Sequence, residues 1–376
     1  MQIDFHSSEG SSLGIEVELE IVDVDTRELH SGATEILTDA GRSYPEGAHP
    51  KAKHELLEST IEIITGICST VAEGRADLEA TLAELQPYLE RRELTFMCSG
   101  THPFSDWAKQ QISPNPRYER LVEEMQWVAR RLQIFGIHVH VGVRSAEKAI
   151  AIANALSAYI PHFLALSASS PYWMGQDTGL ASSRSKVFES LPTAGLPYQL
   201  SGWSEFEDFM ETLVSAKAIS SIREVWWDIR PHPDFGTIEF RICDGLPTMS
   251  EVATAAAMSQ CLVEWLDTLD ERGYTLPVPR RWVVTENKWR AARHGVAGNL
   301  IDWGKQAEVS MRDLAEEWLE FVDDVVDDLG SRTDCEYIRT IVHDGTSADR
   351  QLAVYERTGD LSAVVDQVCE ETIAGL

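Results

Sequence analysis

The sequence is short of basic residues. Its 376 residues include 61 Asp and Glu but only 32 Lys and Arg, which gives a formal net charge of −29 at pH 7. Such an acidic surface argues against nucleic acid as a partner, because it would repel phosphate backbones. The acidic residues are spread along the chain, and arginine strongly outnumbers lysine. Both features predict a halophilic source, since a very salty cytoplasm screens a large net charge.

Closely spaced cysteines are also missing. The six cysteines, at positions 68, 98, 243, 261, 335 and 369, form no CxxC pair. In a chain of this length they indicate neither a disulfide framework nor a zinc site, and we expect most of them to be small buried residues. The first residues show no signal-peptide pattern, and no apolar run approaches about 18 residues. We therefore expect a cytoplasmic protein without a membrane partner.

Three common catalytic motifs are absent: GxGxxG, the Walker-type phosphate loop and the nucleophile elbow. Internal repeats and flexible linkers are absent as well. The composition is that of a globular protein, and the length is enough for a substantial core. We expect a single catalytic domain over residues 1–376, with a mainly helical C-terminal section that begins at about residue 302.

The stretch GIEVELEIVD, residues 14–23, predicts a β-strand with two different faces. Apolar residues at positions 15 to 21 alternate with three carboxylates: Glu16, Glu18 and Glu20. Successive side chains of a strand point to opposite faces, so the carboxylates share one face. Shielded from water, they could not all stay ionised without a cation, and Mg²⁺ takes oxygen ligands of this kind. An edge strand with a solvated acidic face is the alternative.

A second strand with carboxylates is predicted over KHELLESTIEIITG, residues 53–66. Alternation places Glu58 and Glu62 on one face, and Glu55 leads into the strand. An exposed acidic strand is again the alternative. The preceding residues 27–50 are rich in Gly, Pro, Asp and Ser and predict a loop or hairpin.

Histidines and basic residues follow further along the chain. GIHVHVGV, residues 136–143, predicts a short strand on which His138 and His140 share a face. Two histidines at this spacing can meet a metal or a phosphate, although a lone histidine is usually structural. Residues 170–203 lack periodicity, and Arg184 and Lys186 are among their few charges. These two suit phosphate oxygens, or they simply balance acidic neighbours on a surface loop.

A β-hairpin is predicted where two strand-like segments flank HPDFG at residues 232–236. In its second arm Glu239, Arg241 and Cys243 share one face. Such a pair could bind a metal phosphate, with the carboxylate holding the cation and the arginine holding the phosphate. A plain ion pair between Glu239 and Arg230 is the alternative. Helical spacing of apolar residues predicts helices over 70–93, 116–133, 145–169, 204–220, 249–273 and from 285.

Taken in order, these segments resemble the carboxylate–amine ligases and, more narrowly, the second glutamate–cysteine ligase family. Three more segments share the resemblance: RSKVFESLPTAGLP at 184–197, ENKWRAARHG at 286–295 and GTSADRQL at 345–352. The acidic composition makes a haloarchaeal glutamate–cysteine ligase the nearest expected relative. The resemblance implies an α+β fold like that of glutamine synthetase, in which a curved, mainly antiparallel half-barrel sheet carries helices on its outside.

The same resemblance implies an activity. Glutamate would be joined to cysteine through a γ-glutamyl phosphate, with ATP and two or three Mg²⁺ ions, or Mn²⁺ in their place. The implied metal ligands are Glu16, Glu18, Glu55, Glu62, His138 and Glu239. The implied catalytic residues are Arg241, Arg184 and Glu239. The implied nucleotide contacts are His140, Arg241, Arg184 and Lys186. Arg230 would hold a substrate carboxylate, and a homo-oligomer is left open.

Some residues and the acceptor allow more than one assignment. Glu20 and Glu58 lie on the same predicted strand faces and are reserve ligands, and Cys243 is expected to neighbour the site rather than act in it. The same site could join glutamate to a different amine, because the side chains that select the acceptor cannot be placed from sequence. A non-catalytic protein that binds metal or nucleotide is a further alternative, which the intact set of carboxylates, histidines and arginines disfavours.

Overall fold

One large antiparallel sheet lies at the centre of the computed structural model, which describes residues 2–374. The strands are β1 Leu13–Asp23, β2 Ala52–His54, β3 Thr60–Ile64, β4 Leu94–Met97, β5 Ile137–Gly142, β6 Tyr172–Trp173, β7 Gln176–Asp177, β8 Ile229–His232, β9 Thr237–Phe240, β10 Asn299–Asp302 and β11 Ala307–Ser310. The large sheet runs β2-β3-β1-β5-β9-β8, and β4 pairs with the end of β1. It has two free ends and is not a closed barrel. The pairs β6–β7 and β10–β11 form separate hairpins.

Helices surround this sheet. They are α1 Ala33–Gly41, α2 Val71–Glu90, α3 Pro116–Met125, α4 Trp127–Arg130, α5 Ala146–Leu156, α6 Ile160–Leu166, α7 Arg184–Phe188, α8 Trp203–Ser215, α9 Met249–Glu271, α10 Arg281–His294, α11 Met311–Val326, α12 Arg332–Glu336, α13 Ile338–Asp344, α14 Ser347–Thr358 and α15 Leu361–Ile373. Short 3₁₀ turns cover Trp107–Lys109, Ser157–Tyr159, Ile222–Glu224 and Gly295–Ala297. The predicted α+β fold with a large, mainly antiparallel sheet is confirmed.

The central strand β1 has the two faces that its alternation predicts. Ile15, Val17 and Leu19 are buried in the main hydrophobic core, where α2 and α9 pack against the sheet. Burial of each such side chain contributes about 1.5–3 kcal/mol to folding. This apolar face therefore fixes which way β1 lies, and the carboxylates of Glu16 and Glu18 must point to the other side of the sheet.

Strand register places polar residues of five strands next to one another on that other side. The facing pairs are Glu18 with Glu62, Glu16 with His138, His140 with Glu239, and Arg230 with Glu239. Directly opposed residues of antiparallel strands have Cβ atoms about 4.5–5.5 Å apart. The sheet thus collects into one polar row residues that are more than 200 positions apart in the chain.

Two predictions for the region before β3 are wrong. Residues 27–50 contain helix α1 instead of only a loop. Residues 53–66 contribute to two antiparallel strands, β2 and β3, so Glu58 lies in the connection between them rather than on a strand face, and Glu55 lies in the same connection. The adjacent Leu56 and Leu57 already break the alternation, and both are buried. Glu58 accepts hydrogen bonds from Thr34 at the start of α1, with Oγ1 at 2.6 Å and the backbone N at 3.2 Å.

Three other segments also differ from prediction. The helix predicted over 116–133 is divided into α3 and α4 at Gln126, which has a φ of 51°. The aperiodic residues 170–203 contain the β6–β7 hairpin and α7. The C-terminal section from about residue 302 is mainly helical, but the end of the β10–β11 hairpin lies within it.

The expectation that the chain has no long apolar run holds for Ala146–Leu166, where Glu147, Lys148 and Asn154 interrupt the apolar residues. This segment of α5 and α6 has the length and composition to cross a membrane. However, 72% of its most apolar window is buried inside the protein. It is therefore a core element of the fold, packed against α9 and α10.

The hydrogen bonds between Glu58 and Thr34 predict a role in stability. Because Glu58→Ala removes two bonds at a helix start, it should lower the free energy of unfolding by about 1 kcal/mol. Urea denaturation measures the change. Glu46→Ala, on an exposed carboxylate after α1, is the matched control and should alter stability by less than about 0.5 kcal/mol. Equal stability of the two variants would contradict this role of Glu58.

Candidate active site

An open cavity of about 590 Å³ lies over the polar face of the sheet. All the predicted site residues line it except Lys186: Glu16, Glu18, Glu55, Glu62, His138, His140, Arg184, Arg230, Glu239 and Arg241. Lys186 lies on α7 with its Nζ 2.9 Å from Glu189 Oε2. The structure therefore brings together ten residues from five separate stretches of the sequence.

Two groups of side chains have the geometry of adjacent metal sites. The first is Glu16, Glu62 and His138, and the second is Glu16, His140 and Glu239. Within each group the ligand atoms lie within 4.8 Å of one another. Glu16 belongs to both, because one of its oxygens lies 3.1 Å from His138 Nδ1 and the other lies 3.7 Å from His140 Nε2. A carboxylate in this position could bridge two cations.

Burial raises the pKa of three of the carboxyl groups in the cavity. Burial raises the pKa of Glu18 to about 8, and the nearby charge of Glu55 adds to the effect. Burial likewise raises the pKa of Glu62 well above its usual range, reinforced by Glu16 and Glu55. The pKa of Glu55 is also raised by burial. A divalent cation would favour the ionised forms that burial and like charge now oppose.

Glu16 and Glu239 are ionised despite their burial. Burial raises the pKa of Glu16, but the hydrogen bond from His138 and the charge of His140 outweigh it and hold the pKa at about 2. For Glu239, Arg230 and Arg241 overcome the effect of burial, so that its pKa is well below the usual range. Burial and the charge of Arg241 lower the pKa of His138 to about 4, which keeps its ring neutral and able to ligate at pH 7.

These observations fit a hard divalent cation. The donors are mainly carboxylate oxygens with one imidazole in each group, a set that suits Mg²⁺ or Mn²⁺ better than the thiol-rich sites of softer metals. Glu18 and Glu55 line the same cavity but belong to neither group. Glu18 Oε2 accepts the Gly136 N–H at 2.5 Å while its Oε1 lies 4.0 Å from His138 Nε2, and Glu55 Oε2 accepts the Leu56 N–H at 2.5 Å.

Glu239 is held between two guanidinium groups. Arg230 Nε donates to its Oε2 at 2.5 Å, and Arg241 Nη1 donates to its Oε1. Arg230 Nη1 also donates to the backbone oxygens of Ile222 at 2.6 Å and Val225 at 2.7 Å. Only the Nη2 group of Arg230 is outside these bonds, so the substrate contact predicted for this residue would have to use that group.

Arg184 and Arg241 form the cationic side of the cavity. Both are largely buried, and within residues 2–374 the Nε of each has no hydrogen-bond partner. Arg184 donates to the backbone oxygens of Ile242 and Arg241, each at 3.3 Å. A Cβ at Gly136 would overlap Arg184 Nη2 and lie 2.9 Å from the backbone oxygen of Cys243, so a side chain there would displace the guanidinium. Buried donors without partners are rare, and a phosphate oxygen would satisfy them.

The reserve residues are occupied elsewhere. Glu20 is fully buried and accepts hydrogen bonds from Ser99 Oγ at 2.9 Å and Ser99 N at 3.2 Å. Glu58 caps α1. Burial raises the pKa of the Cys243 thiol to about 12, and the residue belongs to the hydrophobic core rather than to the cavity wall.

Several further residues line the cavity although their sequence pattern does not predict a site. They include Lys53, Arg117, Tyr118, Arg223, Trp226, His232 and Phe235. Phe235 is 55% exposed and stacks on His232, with ring centroids 4.3 Å apart, while its ring also meets the edge of His140. The sequence signal for Phe235 is an aromatic residue in the HPDFG turn, where polar residues are usual. Arg117 and Tyr118 gave no such signal, since only the packing of α3 brings them to the cavity.

Sequence comparison now decides the family. A sequence model of glutamate–cysteine ligase family 2 matches residues 12–369. The chain belongs to this family of ligases. Among its relatives, a Frankia alni protein with the provisional name glutamate–cysteine ligase 2-1 is 56% identical over 380 residues, covering 100% of this chain and 98% of that protein. A Thermobifida fusca relative, provisionally named glutamate–cysteine ligase 2, is 48% identical over 375 residues, covering 100% and 94%. Closeness to haloarchaeal enzymes gains no support from these relatives and stays a prediction.

Solved structures of distant ligases share the fold of this family member. Glutamate–cysteine ligase from Francisella tularensis, crystallised in complex with AMP, superposes with a TM-score of 0.71 at 12% identity, covering 99% of this chain and 90% of that one. A bifunctional glutathione synthetase from Pasteurella multocida gives 0.69 at 16% identity, covering 97% and 52%. At these identities the likeness concerns the fold alone.

The shared position of Glu16 predicts how metal binding responds to substitution. Glu16→Gln should weaken both cation sites by at least about tenfold, whereas Glu62→Gln should weaken only one. Titration with Mn²⁺, followed by calorimetry or electron paramagnetic resonance, measures the number of bound ions. Glu58→Gln is the control and should bind as the unsubstituted protein does. If Glu16→Gln binds Mn²⁺ with unchanged number and affinity, these residues are not the cation ligands.

Proposed function

We propose that this family member is an ATP-dependent ligase that forms γ-glutamylcysteine from glutamate and cysteine. One observation carries the proposal. Two carboxylate–histidine groups, which have Glu16 in common, line the same cavity as two buried guanidinium groups, those of Arg184 and Arg241. Transfer of a phosphoryl group needs both: carboxylates to hold cations, and positive donors for the charge on the phosphoryl oxygens.

The cation ligands are assigned from the two groups. Glu16, Glu62 and His138 would hold one Mg²⁺, and Glu16, His140 and Glu239 a second. When bound, Mg²⁺ neutralises phosphate charge and polarises the phosphoryl group. His140 is assigned here as a ligand, in place of the phosphate contact predicted from the sequence, because its Nε2 lies 3.7 Å from Glu16 and 3.9 Å from Glu239.

The protein's own groups would orient and stabilise the reacting phosphoryl group. A γ-carboxylate oxygen of glutamate attacks the γ-phosphorus of ATP, and ADP leaves. The amine nitrogen then attacks the acyl carbon, the C–O bond to phosphate breaks, and the released phosphate takes the amine proton. Arg184 and Arg241 would donate hydrogen bonds to the phosphoryl oxygens through both steps. Glu239 keeps Arg241 in place, and no nucleophilic side chain is required.

Findings on similar proteins support this proposal. The Frankia and Thermobifida relatives carry glutamate–cysteine ligase names, and the Francisella ligase of the same fold was crystallised with AMP. The same proposal includes a single catalytic domain, a cytoplasmic location and small-molecule substrates only. Cysteine is proposed as the acceptor because of these relatives.

The first test is release of ADP with glutamate, ATP and Mg²⁺ across a panel of amines that includes cysteine. Turnover limited to cysteine and close analogues, with a γ-glutamyl product, is expected. Turnover with another amine would keep the reaction and replace the acceptor. ATP binding without turnover on any amine would overturn the ligase assignment.

A single substitution tests the site itself. Glu239→Gln removes the negative charge between Arg230 and Arg241, so the variant should fold but lose at least about 100-fold in kcat.

Salt dependence is the second expectation. Because −29 net charges repel one another in dilute buffer, activity should rise several-fold between about 0.1 M and about 2 M KCl. Initial rates at constant Mg²⁺ and ATP measure it, and matched circular dichroism spectra show whether folding changes in parallel. Highest activity in dilute buffer, with inhibition by KCl, would refute the halophilic assignment.

A further inference from the structure

A lysine of α10 is buried between two acids behind the cavity wall. Lys288 Nζ lies 2.6 Å from Asp228 Oδ2 and 2.7 Å from Glu189 Oε1. Lys288 is 3% exposed and Asp228 is 2% exposed. None of the three lines the cavity. Lysine is almost never buried this deeply unless it is paired, and loss of one member of a buried pair leaves an uncompensated charge.

One of the two acids connects Lys288 to Arg184. Glu189 directly follows α7, the short helix that begins with Arg184. Just before α7, the backbone N–H groups of residues 181–182 donate to Ala292 O on α10, at 2.9 and 3.0 Å. Helix α10 therefore holds α7 at both ends, through Ala292 at the start and Lys288 at the end. Neither end can move without breaking bonds to the same helix.

The other acid connects Lys288 to Arg241. The backbone oxygen of Asp228 accepts the Arg241 N–H at 2.8 Å, and the Asp228 N–H donates to Gly195 O at 2.8 Å. Asp228 also directly precedes β8, the strand that carries Arg230. A displacement of Asp228 would thus shift the backbone that supports both arginines of the β8–β9 hairpin.

We propose that Lys288 is a positioning residue, whose contacts with Glu189 and Asp228 set the spacing of Arg184 and Arg241 across the phosphoryl-binding side of the cavity. This rests on the proposed function. Rate depends steeply on the placement of such groups, and an error of about 1 Å can cost about 100-fold. The proposal also gives a role to the ENKWRAARHG segment, which contributes no residue to the cavity wall.

The primary test is Lys288→Met, which removes the charge and keeps an unbranched side chain. It should lower kcat for ADP formation by about 100-fold, while KM for glutamate changes less than about threefold. In this variant Asp228 has lost its ion pair with Lys288, whereas Glu189 still pairs with Lys186, whose Nζ lies 2.9 Å from Glu189 Oε2. Wild-type kcat in this variant would overturn the proposal.

A double variant separates positioning from stability. Lys288→Met combined with Asp228→Asn removes one charge of each sign, so thermal stability should largely return while kcat stays low. Recovery of kcat together with stability would show that Lys288 acts only on folding and would overturn the proposal. If the single variant does not fold, this double variant carries the test.

Lys148, on α5, is a control lysine that does not line the cavity, and its side chain is 19% exposed against 4% for Lys288. Lys148 Nζ lies 2.6 Å from Asp267 Oδ1 and 2.9 Å from Glu271 Oε1, so it too is a lysine between two acids. Lys148→Met should lower the melting temperature but leave kcat within about twofold. An equal loss of kcat in the Lys148 and Lys288 variants would overturn the proposal.

Binding of Mg·ATP keeps this test separate from that of the ligase reaction. If the unsubstituted protein binds Mg·ATP but turns over no amine, the ligase assignment fails. In that case the positioning role still predicts that Lys288→Met binds Mg·ATP at least tenfold more weakly, with an unchanged number of bound Mn²⁺ ions. Unchanged Mg·ATP affinity would then overturn it. Absence of Mg·ATP binding by the unsubstituted protein would overturn both proposals.

Discussion

Crowding of like charges on one face of a buried sheet is the constraint on which the rest of the structure depends. Strand β1 turns its apolar side chains into the core, and this orientation forces Glu16 and Glu18 towards the cavity. There they meet carboxylates from neighbouring segments, and burial makes their ionisation costly. Histidines, arginines and bound cations are the groups that can offset this cost, and the surrounding strands supply the first two.

Negative and positive side chains of the cavity lie on different strands. On β1 and β3 carboxylates predominate, and burial together with neighbouring carboxylates raises the pKa values of Glu18 and Glu62. On β8 and β9, Arg230 and Arg241 surround Glu239 and keep it ionised. The cavity therefore has an acidic half suited to cations and a basic half suited to phosphate, with His138 and His140 between them on β5.

Local periodicity explains how much of this could be predicted from the sequence. The alternation in β1, β5 and β9 is a short-range signal, and it correctly placed Glu16, His138 and Glu239 on polar faces. For residues 53–66 the break in alternation at Leu56 and Leu57 is visible in the sequence, but the contacts with Ile112 and Ser113 that make it a turn between two strands are not. Those contacts are invisible to a periodicity argument.

The same limit applies to side chains that act through packing. Arg117 reaches the cavity only because of how α3 packs, and Lys186, which the sequence favoured, pairs with Glu189 outside the cavity. Lys288 looked like one basic residue among several in its helix. Its importance depends on two acids that are about 60 and 100 positions away in the chain, a relation that only the fold establishes.

Gly136 has a consequence for how this family member can vary. The space that a side chain would fill at this position is taken by the guanidinium of Arg184, and the Gly136 N–H is bonded to Glu18. A saturation library would therefore show near-complete intolerance at a residue that offers no functional group to any substrate. The missing methyl group couples this position to two others: a side chain at 136 would have to displace the Arg184 guanidinium from its place in the cavity wall, and it would also meet the backbone oxygen of Cys243 at 2.9 Å.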